Sequence, residues 1–151
     1  MRTHWETYEQ GAAKAGRVPD RRNWRVCMDI HMAETTEEAR NDVLNCGMAQ
    51  SFDEFILPLF RRLGITALMK LDESTPDEAI TAEYLMDHRW AVGDPDHCLR
   101  KIREAYDELG GFGTLILMVQ CWDPPEKGWK SLELFMKYAA PELQELWPNT
   151  S

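Results

Sequence analysis

The chain has 151 residues, enough for one ordinary domain and too few for two comfortable ones, with Trp, Phe, Leu and Met spread over its whole length. Acidic residues exceed basic ones by 26 to 17, giving a net charge of −9, and no basic patch interleaved with aromatics offsets this. That balance argues against binding a nucleic-acid backbone or an anionic membrane surface. No window reaches the length of a membrane span, and the N-terminus lacks the apolar core of a signal peptide. The expectation is a soluble, cytoplasmic protein of a single domain, residues 1–151.

Taken in order, residues 3–16 read as a helix, with Trp5, Tyr8, Ala12 and Ala15 on one face and Gly16 as its stop. A polar connector, Arg17 to Asn23, leads to a stretch of period two from Trp24 to Ala33. Trp24, Val26, Met28, Ile30 and Met32 fall on one side; Arg25, Cys27, Asp29, His31 and Ala33 fall on the other. This is a strand with one apolar and one polar face. Thr35 and Glu38 have the spacing of a capping box, so a helix starts there and runs, with a break at Cys46-Gly47, to Leu63. Phe52, Phe55, Ile56, Leu59, Phe60 and Leu63 give it a wide apolar stripe, and Pro58 should kink it. Asp72 to Pro76 reads as a loop and Asp77 to Met86 as a short helix.

The segment from His88 to Asp123 organises the rest. Trp90 to Val92 is a short apolar run ended by Gly93, Asp94 is a helix cap, and Pro95 needs no N–H at a first helical position. Leu99, Ile102, Ala105, Tyr106 and Leu109 recur at helical spacing, and Gly110-Gly111 supply the stop. Thr114 to Val119 is nearly unbroken apolar sequence, as expected of a strand covered on both faces. Strand, helix, strand in this order implies two parallel strands. Pro124-Pro125 ends the last strand, Trp129, Leu132, Leu134, Phe135 and Tyr138 make another helix, and Pro141 opens a final turn before a frayed tail. The alternation predicts an α/β fold with three parallel strands and flanking helices.

Ligands in parallel α/β folds gather at the carboxyl ends of strands. Here these ends are His31-Met32-Ala33-Glu34, Val92-Gly93-Asp94-Pro95 and Gln120-Cys121-Trp122-Asp123. Asp29 and His31 share the polar face of the first strand, roughly 7 Å apart, and could act as acid and base or bind substrate. The bland alternative is a solvated face, or an Asp29–Arg25 pair. Trp122 could stack on a planar ring or simply cover a helix end. Gly93-Asp94-Pro95-Asp96 opens a helix, but its two carboxylates favour capping over anion binding. Asp29, His31, Asp94 and Asp123 are metal-type residues without metal-type spacing, so no metal is expected. Cys27, Cys46, Cys98 and Cys121 include no Cys-x-x-Cys and read as buried free thiols. No Gly-x-Ser-x-Gly, phosphate-cradling glycine loop followed by Lys, or Gly-x-Gly-x-x-Gly occurs, and Gly110 to Gly113 precedes a strand rather than following one.

Trp90-Ala-Val-Gly-Asp-Pro-Asp96 with its helix, Glu108-Leu-Gly-Gly-Phe-Gly-Thr-Leu-Ile-Leu117 and Trp129 to Leu143 together resemble the C-terminal region of the bacterial luciferase-like monooxygenases, and Trp24 to Ala39 fits the strand and helix preceding it. The resemblance implies a partial (β/α)8 TIM barrel holding strands six to eight. It implies reduced FMN as cofactor, with a deazaflavin as the variant, and a separate flavin reductase as a partner. The reaction it implies is oxidation of a small organic substrate by molecular oxygen once the barrel is complete. On the same footing Asp29 and His31 would be catalytic, and Gln120 and Trp122, at the end of the last strand, would contact the cofactor. Sulfonate-oxidising relatives carry Arg and His where this chain has Cys27 and Asp29, so their substrates do not transfer. With only three strands, the chain alone is expected to bind no flavin tightly. It is expected to self-associate or pair with an N-terminal half; the alternative function is a non-catalytic half-barrel that pairs with another chain.

Overall fold

The computed structural model describes residues 2–146, with side chains from residue 4, so the tail expected to fray lies outside the described residues. Its frame is β1 (Arg25–Met32), α2 (Thr36–Leu44), α3 (Gly47–Ser51), α4 (Leu57–Leu63), α5 (Ala82–His88), β2 (Ala91–Gly93), α6 (Pro95–Leu109), β3 (Thr114–Met118), α7 (Pro125–Leu134) and α8 (Ala140–Gln144), preceded by α1 (Arg2–Lys14). The architecture is α/β, a partial barrel of three parallel strands with flanking helices. No helix among the described residues is long and apolar enough to cross a membrane.

All three strands run the same way, but their order is β2-β1-β3. Consecutive barrel strands would pair in chain order; here β1 is central and β2 and β3 flank it. The cause is where each strand can reach. β2 has three residues and pairs only with the carboxyl end of β1, from Ile30↔Ala91 to Met32↔Gly93. β3 pairs with the amino-terminal part, from Arg25↔Thr114 to Asp29↔Met118. That ladder starts where the N–H groups of Gly113 and Thr114 both donate to the Trp24 carbonyl. Gly113 is demanded here, because a Cβ on it would lie 1.8 Å from the Arg22 carbonyl oxygen.

The even-numbered face of β1 behaves as its alternation predicts. Met28, Ile30 and Met32 pack with Cys98 and Ile102 of α6 and with Leu134, Ala139 and Leu143. Each such large apolar side chain, fully removed from water, contributes about 1.5–3 kcal/mol. The odd-numbered face changes character along its length. Arg25 and Cys27 are exposed, Asp29 is half-buried, and His31 and Ala33 are buried. The cover over that end is a second core, in which Ala39, Val43, Met48, Phe52, Met86, Trp90 and Val92 meet.

Helix boundaries follow local chemistry. Thr35 caps α2 by accepting from the Glu38 N–H, and Asp94 caps α6 by accepting from the His97 N–H. The expected helix over 36–63 breaks at Asn45-Cys46, as Cys46-Gly47 suggested, and contains a π-helical segment, Phe52–Ile56, just before Pro58. A second π segment, Phe135–Ala139, precedes Pro141 in the same way. Proline has no N–H, so the ladder shifts by one residue to keep the preceding carbonyls partnered. The predicted helix over 77–86 is two pieces, a single 3₁₀ turn at Asp77–Ala79 and α5, divided by the Thr81 cap. Arg21 closes the far end of α6: its guanidinium donates to the carbonyls of Leu109 and Gly111 and lies 4.2 Å from the Trp5 ring.

Four expectations are overturned. Cys46 and Cys121 form a disulfide across 75 residues, joining the start of α3 to the segment after β3; by loop-closure entropy such a link stabilises by about 4 kcal/mol. Of the two free thiols Cys98 is buried as expected and Cys27 is exposed. Their fates were set by tertiary proximity, which spacing along the chain does not reveal. β3 is not covered on both faces: Ile116 and Met118 are exposed, because only Leu115 and Leu117 face the core. The stripe of the second helical stretch is split, with Phe52 and Leu57 buried while Phe55 and Leu63 are exposed, and on α1 Tyr8 is exposed beside a buried Trp5.

Replacing Gly113 by Ala forces the Arg22 carbonyl away from the start of the β1–β3 ladder. A loss of about 2–3 kcal/mol in unfolding free energy is expected, read from the denaturant midpoint at unchanged slope.

Candidate functional site

The carboxyl ends of β1 and β3 bring together three of the four residues singled out from sequence, in two hydrogen-bonded groups. At position 29 of β1 the carboxylate oxygen Oδ1 accepts from Gln120 Nε2 at 2.5 Å. Burial pushes the Asp29 carboxyl above the usual range, and the Gln120 hydrogen bond opposes this only in part. The bond also disposes of the Asp29–Arg25 alternative: the partner comes from the segment that follows β3.

Two residues further along β1, His31 is 1% exposed. It does not face an open barrel interior, as expected; α2 and α7 close over it. Its Nε2 lies 3.2 Å from Asp42 Oδ2 on α2, and Asp42 Oδ1 accepts from Lys127 Nζ on α7 at 2.5 Å. His31 Nδ1 is buried without a hydrogen-bond partner. Burial pulls the imidazole below its ordinary value, with Lys127 adding to the effect and Asp42 and Glu38 opposing it. The imidazole is therefore neutral at neutral pH. Next to it the Met32 N–H donates to Ser131 Oγ on α7 at 2.8 Å, fixing α7 against the strand end.

Trp122 follows the disulfide-bonded Cys121 and stands apart from these groups. Its indole N–H donates to the Val119 carbonyl at 2.7 Å, its ring meets Trp129 edge-on at 5.4 Å, and it is 39% exposed. Gly128 seats it, since a Cβ there would come within 2.4 Å of the indole. One face of the ring thus covers α7, and enough remains exposed to meet a planar ligand.

The other helix starts at this rim are satisfied internally. Thr36 Oγ1 donates to Asp94 Oδ2 at 2.6 Å and accepts from the Asp94 N–H, so α2 and α6 are tied to each other. This bond holds the Asp94 carboxyl below the usual carboxylate range. Capping, not anion binding, is what Gly93-Asp94-Pro95-Asp96 does. Cys98 lies beneath, its thiol pushed up to about 12 by burial, which keeps it neutral. Asp123 is exposed, and no cluster of three metal-type residues forms among the described residues. A groove of about 500 Å³, lined by Thr114, Leu115, Phe135, Ala140 and Leu143, opens at the amino end of β3 instead, opposite the candidate site.

Sequence reasoning missed Asp42, Lys127 and Ser131. Asp42 carried a signal, since it lies beside Val43 and three residues after Ala39 on the face that α2 buries. Lys127 and Ser131 carried none.

Parallel strands with polar side chains and an aromatic at their carboxyl ends define an α/β chain with a candidate binding rim. No family model matches the chain. It is 31% identical over 95% of its length to 3,6-diketocamphane 1,6-monooxygenase of Pseudomonas putida, and 29% identical over 95% to 4-hydroxyprotoasukamycin monooxygenase of Streptomyces nodosus subsp. asukaensis. A solved structure of the oxygenating constituent of 3,6-diketocamphane monooxygenase from Pseudomonas putida, a type II Baeyer-Villiger monooxygenase in complex with FMN, matches 93% of the chain at a TM-score of 0.82 and 32% identity. The chain is thus similar to part of these monooxygenases over nearly its whole length. It spans about two fifths of the length of the relatives it matches, 38% and 36% of the two enzymes and 39% of the solved chain.

The two buried groups give stability opposite pH dependences. For His31 the folded-state value lies below the unfolded one. Its contribution is full above about 6.5 and is lost as pH falls through the folded value, because only the unfolded chain then takes up the proton. Asp29, raised in the fold, contributes fully below its unfolded value and loses that contribution as pH rises through the folded one. Between pH 7.5 and 5.5 the His31 contribution should fall, at no more than about 1.4 kcal/mol per pH unit. His31→Asn should flatten that slope in chemical denaturation.

Proposed function

We propose that this chain supplies part of the active site of a flavin-dependent monooxygenase that oxidises a small organic substrate with molecular oxygen and reduced FMN when the barrel is complete. The observation that supports this most is the gathering of Asp29, His31 and Gln120 at the strand ends of a chain that matches an FMN-bound monooxygenase over 93% of its length. Flavin, when bound, supplies the oxygen-activating chemistry. The residues present fit part of such a cofactor: Trp122 offers an exposed indole edge and face, and Gln120 an amide. They do not fit its phosphate, since the starts of α2 and α6 are already occupied by Thr35 and Asp94. Asp29, held nearer to its protonated form by burial, and neutral His31 are the proton-handling groups. A flavin reductase is the partner that would deliver the reduced cofactor, and a deazaflavin is the variant to compare.

A titration of the purified chain with FMN, followed by flavin fluorescence, tests how much of the cofactor site it holds. Weak, non-saturating quenching is expected, since the phosphate has no cradle here; a stoichiometric, micromolar complex would mean that the chain carries most of the site by itself.

A second reading, a half-barrel that works by pairing with another chain, is favoured by one observation. β3 is an edge strand whose five residues carry no charge and no proline, with Ile116 and Met118 exposed on it. Such edges recruit further strands. Size-exclusion chromatography with light scattering should show self-association that Ile116→Lys abolishes, whereas a strictly monomeric chain at high concentration removes this reading.

A further inference from the structure

Asp42 and Lys127 are not accounted for by the proposed roles of Asp29, His31, Gln120 and Trp122. They come from two helices, α2 and α7, that converge on one imidazole. Asp42 uses both its oxygens: Oδ1 accepts from Lys127 Nζ at 2.5 Å and Oδ2 faces His31 Nε2 at 3.2 Å. A carboxylate held by an ammonium is an acceptor only, so Nε2 must be the nitrogen that carries hydrogen. A neutral His31 with its hydrogen on Nε2 has a bare lone pair on Nδ1. Nδ1 is the atom left without a partner, in a side chain that is 1% exposed. A buried acceptor without a donor is costly, and a ligand or ordered water that donates to it removes that cost.

We propose that Asp42, anchored by Lys127, is a positioning residue that fixes His31 in its Nε2–H form and leaves Nδ1 as the bare acceptor of the ring. A proton taken up by His31 goes to Nδ1, while the Nε2–H bond to Asp42 is kept throughout. Lys127 acts one step further back, by holding the Asp42 carboxylate in place. The inference rests on the reading of His31 as a proton-handling group, and it gives that group a direction: it takes a proton through Nδ1 and does not donate one from it in the resting state. The charged and titratable groups around His31 are Asp42 and Glu38 on α2, Lys127 on α7 and the neutral thiol of Cys98 on α6, which donates to the His31 carbonyl.

The test reads nitrogen protonation directly, on the chain as it is, without flavin or turnover. In ¹⁵N-labelled protein, long-range proton–nitrogen spectra at neutral pH should show His31 with Nε2 protonated and Nδ1 bare. Asp42→Asn should move His31 toward the Nδ1–H form, because the carboxamide has one acceptor oxygen and Lys127 competes for it. Lys127→Met should raise the pH at which His31 titrates, since the neighbouring positive charge is gone. Hydrogen on Nδ1 in the unmodified chain, or nitrogen shifts of His31 that neither substitution changes, would overturn the inference. If the tautomer is as stated and yet His31→Gln leaves oxidation undiminished in an assembled, flavin-loaded enzyme, the role of His31 falls while its positioning by Asp42 stands.

Discussion

Everything in this chain is placed by the ladder on either side of β1. One eight-residue strand bonds to β3 along its first half and to β2 at its end, so residues distant in sequence are set side by side by backbone geometry alone. Asp29 meets Gln120 because Asp29 is in register with Met118, two residues before Gln120. His31 meets Asp42 because the chain turns straight from β1 into α2, whose buried face, Ala39, Asp42 and Val43, lies over the strand end. A slip of one residue in β1 would exchange its two faces, moving Met28 toward solvent and the Asp29 carboxyl into the apolar core.

The polar face of β1 shows how one strand serves two environments. At its amino end Arg25 and Cys27 stand in solvent, and at its carboxyl end His31 lies beneath two helices. The transition falls at Asp29, where burial is only partial and a single amide reaches the carboxylate. Water is thereby excluded from His31 while Asp29 keeps some access to it. Groups of the same face are driven in opposite senses: the carboxylic acid toward its protonated form, the imidazole toward its neutral one. Such separation is what pairs of proton-handling residues require.

Much of the fold was legible because its signals are local. The Thr35 and Asp94 caps, the Gly110-Gly111 stop and the period-two pattern of Trp24 to Ala33 each act over a few residues, and each appears where the sequence puts it. What was not legible depends on distance. The strand order follows from the shortness of β2 and from the close approach of Gly113 to Arg22, neither of which has a periodicity. The Cys46–Cys121 bond joins residues 75 apart, and a cysteine spacing of that size carries no information on pairing. β3 differs for another reason: an unbroken apolar run predicts burial on both faces, whereas Ile116 and Met118 on its outward face are left exposed. At the site, Asp29, His31 and Gln120 lie at neighbouring strand ends as their strand positions implied, while Trp122 stands to one side, packed against α7. Lys127 could not be read from sequence because only the docking of α7 brings it to Asp42.

The glycine under Trp122 has a reach beyond its own turn. Because position 128 has no side chain, the indole sits directly against α7, in space that a Cβ there would take. The contour offered to any flat molecule at that rim is therefore decided by a residue that such a molecule would never touch. Enlarging that position by a methyl or more would tilt the wall outward and reshape the opening without altering one polar group beside it.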